Sequence, residues 1–88
     1  MKIKENFLLK NIAGSYVVVP TGSELVDFNG MVTLNESGAF LWNLLKEEQT
    51  AQSLASAMTE EYDVTAETAA RDVEKFLSTL KKAELLEL

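Results

Sequence analysis

The stretch VTLNESGAFLWNLL, residues 32–45, contains the change of pattern that decides the fold. Its first residues are β-branched or apolar and typical of a strand. Asn35 is a good helix N-cap, and Glu36 suits the positive end of a helix dipole. An apolar face then follows at helical spacing, formed by Phe40, Leu41, Leu44 and Leu45. We therefore expect a strand to become a helix at Asn35, with Gly38 letting the helix lie close to the sheet.

The residues before this stretch are typical of a small antiparallel sheet. Residues 7–12 are short and apolar, Ala13-Gly14-Ser15 suggests a turn, and YVVV at residues 16–19 is a strong strand pattern. Asn29-Gly30, between residues 24–28 and 31–34, predicts a type I′ hairpin. Residues 24–28 would then cover one edge of the last strand. The other edge either lies open or is covered by the third helix or the C-terminal tail.

The residues after this stretch predict three helices, at about residues 36–47, 50–62 and 65–83. Thr50 and Thr65 are suitable caps for the second and third helices. Apolar stripes lie at Ala51, Leu54, Ala55, Met58 and Tyr62, then at Ala69, Val73, Phe76, Leu77 and Leu80. Residues 85–88 form an apolar tail that predicts a last strand or a packed end. We expect one α+β domain over residues 1–88: a small N-terminal antiparallel β-sheet over about residues 6–34, then three helices, resembling a winged helix-turn-helix.

The composition argues against most catalytic and metal chemistry. The chain of 88 residues has no Cys and no His, and its isolated glycines form no phosphate-binding motif. We expect no enzyme activity, no metal and no cofactor. The net charge of −6 disfavours nucleic acid as a partner. No run approaches the length of about 20 apolar residues needed to span a bilayer, and we identify no signal peptide, so a cytoplasmic protein is expected.

Binding is the remaining function class, and the open strand edge is its first candidate, because an extended peptide can add to such an edge. Two further features have two interpretations each. Trp42 is either a core residue or a hydrophobic anchor for a partner. Arg71 and Lys75, one helical turn apart, either pair with acidic neighbours or clasp acidic side chains of a bound peptide.

Four segments resemble the pyrroloquinoline quinone biosynthesis protein D (PqqD-like) family: YVVVP, VTLNESGAFLWNLL, TAQSLASAMTEEYDV and ETAARDVEKFLSTLKKAELLE. The resemblance implies a RiPP recognition element, a winged-helix peptide chaperone of natural product biosynthesis. Such a domain holds the leader of a ribosomally made precursor peptide and presents it to a modifying enzyme, typically a radical SAM enzyme. The resemblance implies that the leader adds as a strand and contacts Met31, Val32, Thr33, Leu34, Arg71 and Lys75.

Two alternative functions remain open at this point. A winged-helix DNA-binding regulator would share the architecture and would use the third helix, whose charges are nevertheless balanced. A homodimerisation module would use Trp42 and the apolar tail at residues 85–88, and a homodimer is also compatible with peptide binding.

Overall fold

The computed structural model describes residues 1–21 and 32–87. The expected α+β class is confirmed, with a small antiparallel sheet and three helices. In chain order the elements are β1 (Lys2–Ile3), β2 (Phe7–Ile12), β3 (Ser15–Pro20), β4 (Val32–Leu34), α1 (Glu36–Leu44), α2 (Ala51–Glu61), α3 (Ala66–Lys82) and β5 (Leu86–Glu87). The hairpin predicted at Asn29-Gly30, the strand predicted at residues 24–28, Met31 and Leu88 lie outside the described residues.

The main sheet has the order β2-β3-β4, with both pairs antiparallel. Ile12 pairs with Ser15, so the turn between β2 and β3 contains only Ala13 and Gly14. Both residues have positive φ, 53° and 86°, as a type I′ turn requires. The Asn11 Oδ1 atom accepts a hydrogen bond of 3.2 Å from the Gly14 N–H group.

The expected junction between strand and helix is present at residues 34–38. The Asn35 side chain caps α1 and accepts a hydrogen bond of 2.8 Å from the Gly38 N–H group. A Cβ atom added to Gly38 would lie 3.2 Å from Leu34 Cβ and 3.1 Å from Asn35 Oδ1, closer than most side chains tolerate. The missing side chain at Gly38 therefore lets α1 start directly against β4.

The buried face of α1 differs from the expected one. Leu41 and Trp42 are each 1% exposed, and Leu45, just after the helix, is fully buried. Phe40 and Leu44 are only half-buried, and the Phe40 ring meets Tyr62 edge-on, with 5.5 Å between the ring centroids. Trp42 is thus a core residue, and its side chain offers no surface for a partner in this structure.

The second and third helices pack against each other and are joined by a short connection. The Thr50 and Thr65 side chains cap α2 and α3, as expected. The predicted stripes are largely the buried ones: Leu54, Met58, Ala69, Val73, Phe76 and Leu80. All three helices are shorter than the expected ranges. The first ends at Leu44, where the Gln49 side-chain amide donates a hydrogen bond of 3.1 Å to the terminal carbonyl oxygen.

The C-terminal tail returns to the start of the chain. Helix α3 ends in a Schellman motif, in which the Leu85 N–H group donates to the Leu80 carbonyl at 2.9 Å and Glu84 has a φ of 59°. Strand β5 then pairs with β1 in a separate two-stranded sheet. Leu85 and Leu86 are buried in the core of the same chain. The described part of the tail therefore does not cover β4.

Candidate functional site

A groove of about 440 Å³ runs between β4 and α3. Strand β4 and the start of α1 form one wall, and the central turns of α3 form the other. The lining residues are Thr33, Leu34, Asn35, Ser37, Gly38, Leu41, Asp72, Lys75, Phe76 and Thr79. The groove is thus a single concave surface formed by β4, the start of α1 and α3.

The floor of the groove is apolar. Leu34, Leu41 and Phe76 contribute it, and all three are more than nine-tenths buried by the rest of the chain. Gly38 lies beside them without a side chain, and its backbone packs closely against Leu34. An apolar side chain of a ligand would find a hydrophobic surface already formed here.

The rim of the groove is polar and carries one charge of each sign on α3. Asp72 and Lys75 are both exposed, and neither forms an ion pair with any residue that the structure describes. Thr33 and Thr79 also line the groove, and the Thr79 hydroxyl donates to the Lys75 carbonyl at 3.1 Å. The two charged side chains are therefore available to a ligand.

Strand β4 is the edge of the described sheet on the groove side. It pairs with β3 along one side, with Val17 opposite Thr33 and Val18 opposite Val32. Successive residues of an antiparallel strand direct their N–H and C=O groups to opposite sides. Within residues 1–21 and 32–87, no strand pairs with the other side of β4. Backbone donors and acceptors therefore point toward the groove.

The structure brings together part of the predicted site. Thr33, Leu34 and Lys75 line the groove, and Val32 lies in the same strand, half-buried against the core. Arg71 lies one turn before Lys75 but does not line the groove. Its side chain is 73% exposed and pairs with Glu67 at 3.7 Å, the surface pairing that the sequence left open.

Several groove residues were not predicted as site residues. Leu41 and Phe76 belong to stripes that the sequence assigned to the core, and Asn35 and Gly38 were interpreted only as helix-start residues. Asp72 was counted only among the balanced charges of the third helix. The position of Asp72 next to Lys75, at a spacing of three residues, is the signal that could have placed it on the same helix face.

The features on which the dimerisation hypothesis rested lie inside this chain. Trp42, Leu85 and Leu86 are all buried in its own core. None of the helices in the described ranges has the length and apolar composition needed to cross a membrane.

In the part of the chain that the structure describes, an edge strand without a further partner lies beside a helix, and a short α+β domain of this kind belongs to the class of folds that suit the binding of an extended peptide. The chain belongs to the coenzyme PQQ synthesis protein D (PqqD) family, whose model matches residues 15–86. The resemblance noted in the sequence is thereby confirmed.

Two solved structures share the fold over nearly the whole chain. The first is TbiB1 in complex with the TbiA(beta) leader peptide, at 30% identity and a TM-score of 0.76, covering 99% of this chain and 95% of that one. The second is lasso peptide synthetase B1 complexed with the leader peptide, at 19% identity and a TM-score of 0.71, covering 96% and 93%. No protein with a curated description matches the sequence.

Proposed function

We propose that this domain is a non-catalytic peptide-binding protein that holds the leader of a ribosomally made precursor peptide and presents it to a modifying enzyme. The observation that carries the proposal is the groove between α3 and the edge of β4 that no strand within residues 1–21 and 32–87 pairs with. The similarity to TbiB1, solved with a leader peptide bound, supports the same function.

Binding would proceed by strand addition. The leader pairs its backbone with Val32, Thr33 and Leu34, which gives affinity with little demand on sequence. Alternate leader side chains point toward the floor at Leu41 and Phe76, so apolar residues at those positions are favoured. Lys75 attracts an acidic leader side chain, and Asp72 repels one, so the pair selects among leaders by charge.

The consequence for the enzyme is a higher local concentration of substrate. A precursor held by its leader meets the enzyme as part of a complex, so the second encounter becomes intramolecular. We place this function in the cytoplasm, where the precursor is synthesised. The proposed partner is a radical SAM enzyme, as the family resemblance implies. The domain itself supplies recognition and no chemistry.

The alternative functions have less support. Helix α3 carries four basic and three acidic side chains, which gives no basic face for a DNA groove, and the whole chain is acidic. A homodimer built on Trp42 and the tail would need residues that are buried in this chain. We therefore retain leader binding as the single proposed function.

An amide NMR titration tests the proposal. The labelled domain is titrated with a synthetic peptide spanning the leader encoded beside its gene, and the matched control is the same peptide with a scrambled sequence. We expect shifts that saturate and cluster at residues 32–38 and 72–79, with none for the scrambled peptide. Saturable shifts confined to other residues, or no shifts at all, would contradict leader binding in this groove.

A further inference from the structure

The outer face of the sheet, on the side away from the core, is a second surface with distinctive chemistry. Leu8 and Lys10 alternate with Phe7 and Leu9, which face the core, and Ile12 continues the outer row; the register sets Val19 opposite Leu8 and Val17 opposite Lys10. Leu8 and Ile12 are 49% and 53% exposed, large fractions for apolar residues of this size. We call the five residues on this side the outer face: Leu8, Lys10, Ile12, Val17 and Val19.

The charge of the outer face differs from that of the whole protein. Lys10 is the only charged residue in β2, β3 and β4. The chain carries a net charge of −6, and residues 46–63 contain one lysine against five acidic residues. A single positive charge within an apolar surface, on an acidic protein, is complementary to an apolar segment that carries acidic side chains.

We propose that the outer face docks the modifying enzyme through an apolar segment of that enzyme bearing acidic side chains. This inference rests on the proposed function, because it supplies the enzyme contact that leader presentation requires. The leader groove and the outer face use different parts of the sheet. The groove lies along β4, and the outer face spans β2 and β3.

A second copy of this chain fits the outer face poorly. Symmetric packing of two outer faces would bring two Lys10 side chains toward each other without an acidic residue from β2, β3 or β4 between them. A lysine in the middle of an edge strand also discourages pairing between identical strands. Two chains with a net charge of −6 repel each other as well.

The geometry links the two surfaces. Lys10, Val17 and Thr33 form one row across the three strands, because Lys10 is opposite Val17 and Val17 is opposite Thr33. A leader strand added to β4 would place one of its own side chains next in that row. The enzyme would then contact a surface built by both the domain and the leader, so each ligand strengthens the binding of the other.

The inference is tested with the purified modifying enzyme that is encoded with the precursor. Its affinity for the domain is measured by biolayer interferometry, with and without the leader peptide. We compare the unaltered domain with Lys10→Glu, with the double variant Leu8→Ser/Ile12→Ser, and with Lys82→Glu. Lys82 is an exposed residue at the end of α3, so its substitution makes the same charge change elsewhere. The substituted side chains are all exposed, and circular dichroism verifies that each variant folds.

We expect Lys10→Glu and the double variant each to weaken enzyme binding about tenfold or more. The affinity of Lys82→Glu for the enzyme should remain within about twofold of that of the unaltered domain. The leader should strengthen enzyme binding about fivefold or more. The inference is overturned if Lys10→Glu and the double variant both bind the enzyme with an affinity within about twofold of the unaltered domain. It is also overturned if Lys82→Glu loses as much affinity as Lys10→Glu does. Absence of binding by the unaltered domain overturns it too.

Two outcomes separate this inference from the proposed function and from self-association. If the leader causes no shifts in the groove and the enzyme still docks through Lys10, Leu8 and Ile12, then leader binding fails and the outer-face contact stands. Analytical ultracentrifugation of the domain alone tests whether a second copy of this chain occupies the outer face. If the unaltered domain is a dimer and the double variant Leu8→Ser/Ile12→Ser is a monomer, the outer face binds a second copy and the inference is overturned.

Discussion

The two edges of the three-stranded sheet differ in what lies beside them. Strand β2 forms one edge, six residues long, with Lys10 in its sequence and two exposed apolar side chains. Strand β4 forms the other, three residues long and without charge, and it faces a groove whose opposite wall is α3. The β4 edge thus combines an edge strand with an apolar floor and a second wall, and we propose the peptide site there for that reason.

The largest expected effect comes from removing a backbone donor of β4. Proline has no N–H group, and strand alternation means that one of Val32 and Thr33 directs its N–H toward the groove while the other directs it toward β3. We expect one of Val32→Pro and Thr33→Pro to weaken leader binding about tenfold to a hundredfold in a folded protein. The other should lower the unfolding free energy instead.

Calorimetric titration and thermal unfolding of both variants distinguish these effects. Thr33→Val is the control, because it keeps the N–H group and a β-branched side chain at an exposed position. It should bind the leader within about twofold of the unaltered protein. If Val32→Pro and Thr33→Pro are both folded and both bind normally, the leader does not pair with β4.

A smaller effect is expected from the charge on the wall formed by α3. Lys75→Glu would place two negative charges, with Asp72, on the rim of the groove. We expect an acidic leader to bind about fivefold more weakly, with a slower association rate, and added salt should reduce this loss by screening the repulsion. Lys82→Glu makes the same change outside the groove and should leave the affinity unaltered. Equal losses in the two variants would indicate a general charge effect without a contact at Lys75.

Gly38→Ala tests how far the shape of the groove depends on the junction between β4 and α1. The new methyl group would press on Leu34 Cβ at 3.2 Å, and a Cβ atom cannot move without its strand. We expect a loss of about 1 kcal/mol in unfolding free energy and leader binding about threefold weaker, because β4 must shift to relieve this contact.

Gly14→Ala is the matched control for this change. Its Cβ atom would have no neighbour within 4 Å, but its φ is 86°, so the cost is purely one of backbone conformation. A loss of stability of about 1 kcal/mol without a change in leader affinity is expected. If Gly38→Ala binds the leader as well as Gly14→Ala does, the packing at Gly38 does not shape the site.

The elements that form this fold were predictable where the signals are local. The cap at Asn35, the caps at Thr50 and Thr65, and the stripe of α3 depend on residues within one or two turns of each other. The groove is different, because Leu34, Leu41 and Phe76 come from three elements and share a surface only after tertiary packing. Their apolar character predicted burial, and it could not distinguish a core residue from a groove floor.

Trp42 illustrates the same limit within one helix. The sequence placed the buried face at Phe40, Leu41, Leu44 and Leu45, but α1 lies between several elements. Its start touches β4, and the Leu45 carbonyl just beyond its end accepts a hydrogen bond of 2.8 Å from the Ile3 N–H group. A helix of nine residues that packs on more than one side has no single apolar stripe. Helical periodicity alone therefore located the wrong centre for its buried face.

The smallest expected change in leader affinity is for substitutions at the β2 edge, which should contribute nothing to leader binding. Ala13 has a φ of 53° in the type I′ turn between β2 and β3, a conformation that asparagine tolerates better than alanine. Ala13→Asn should raise the unfolding free energy by about 1 kcal/mol and the midpoint of thermal unfolding by about 4–8 °C.

Ala13→Val is the matched variant, because a β-branched residue at positive φ should lower stability instead. Both variants should bind the leader as the unaltered protein does, measured by calorimetry well below the unfolding temperature. The turn lies at the far end of β2 and lines no part of the groove. If leader affinity nevertheless follows stability across the two variants, the leader must contact or order β2, and the two edges of the sheet would be parts of one site.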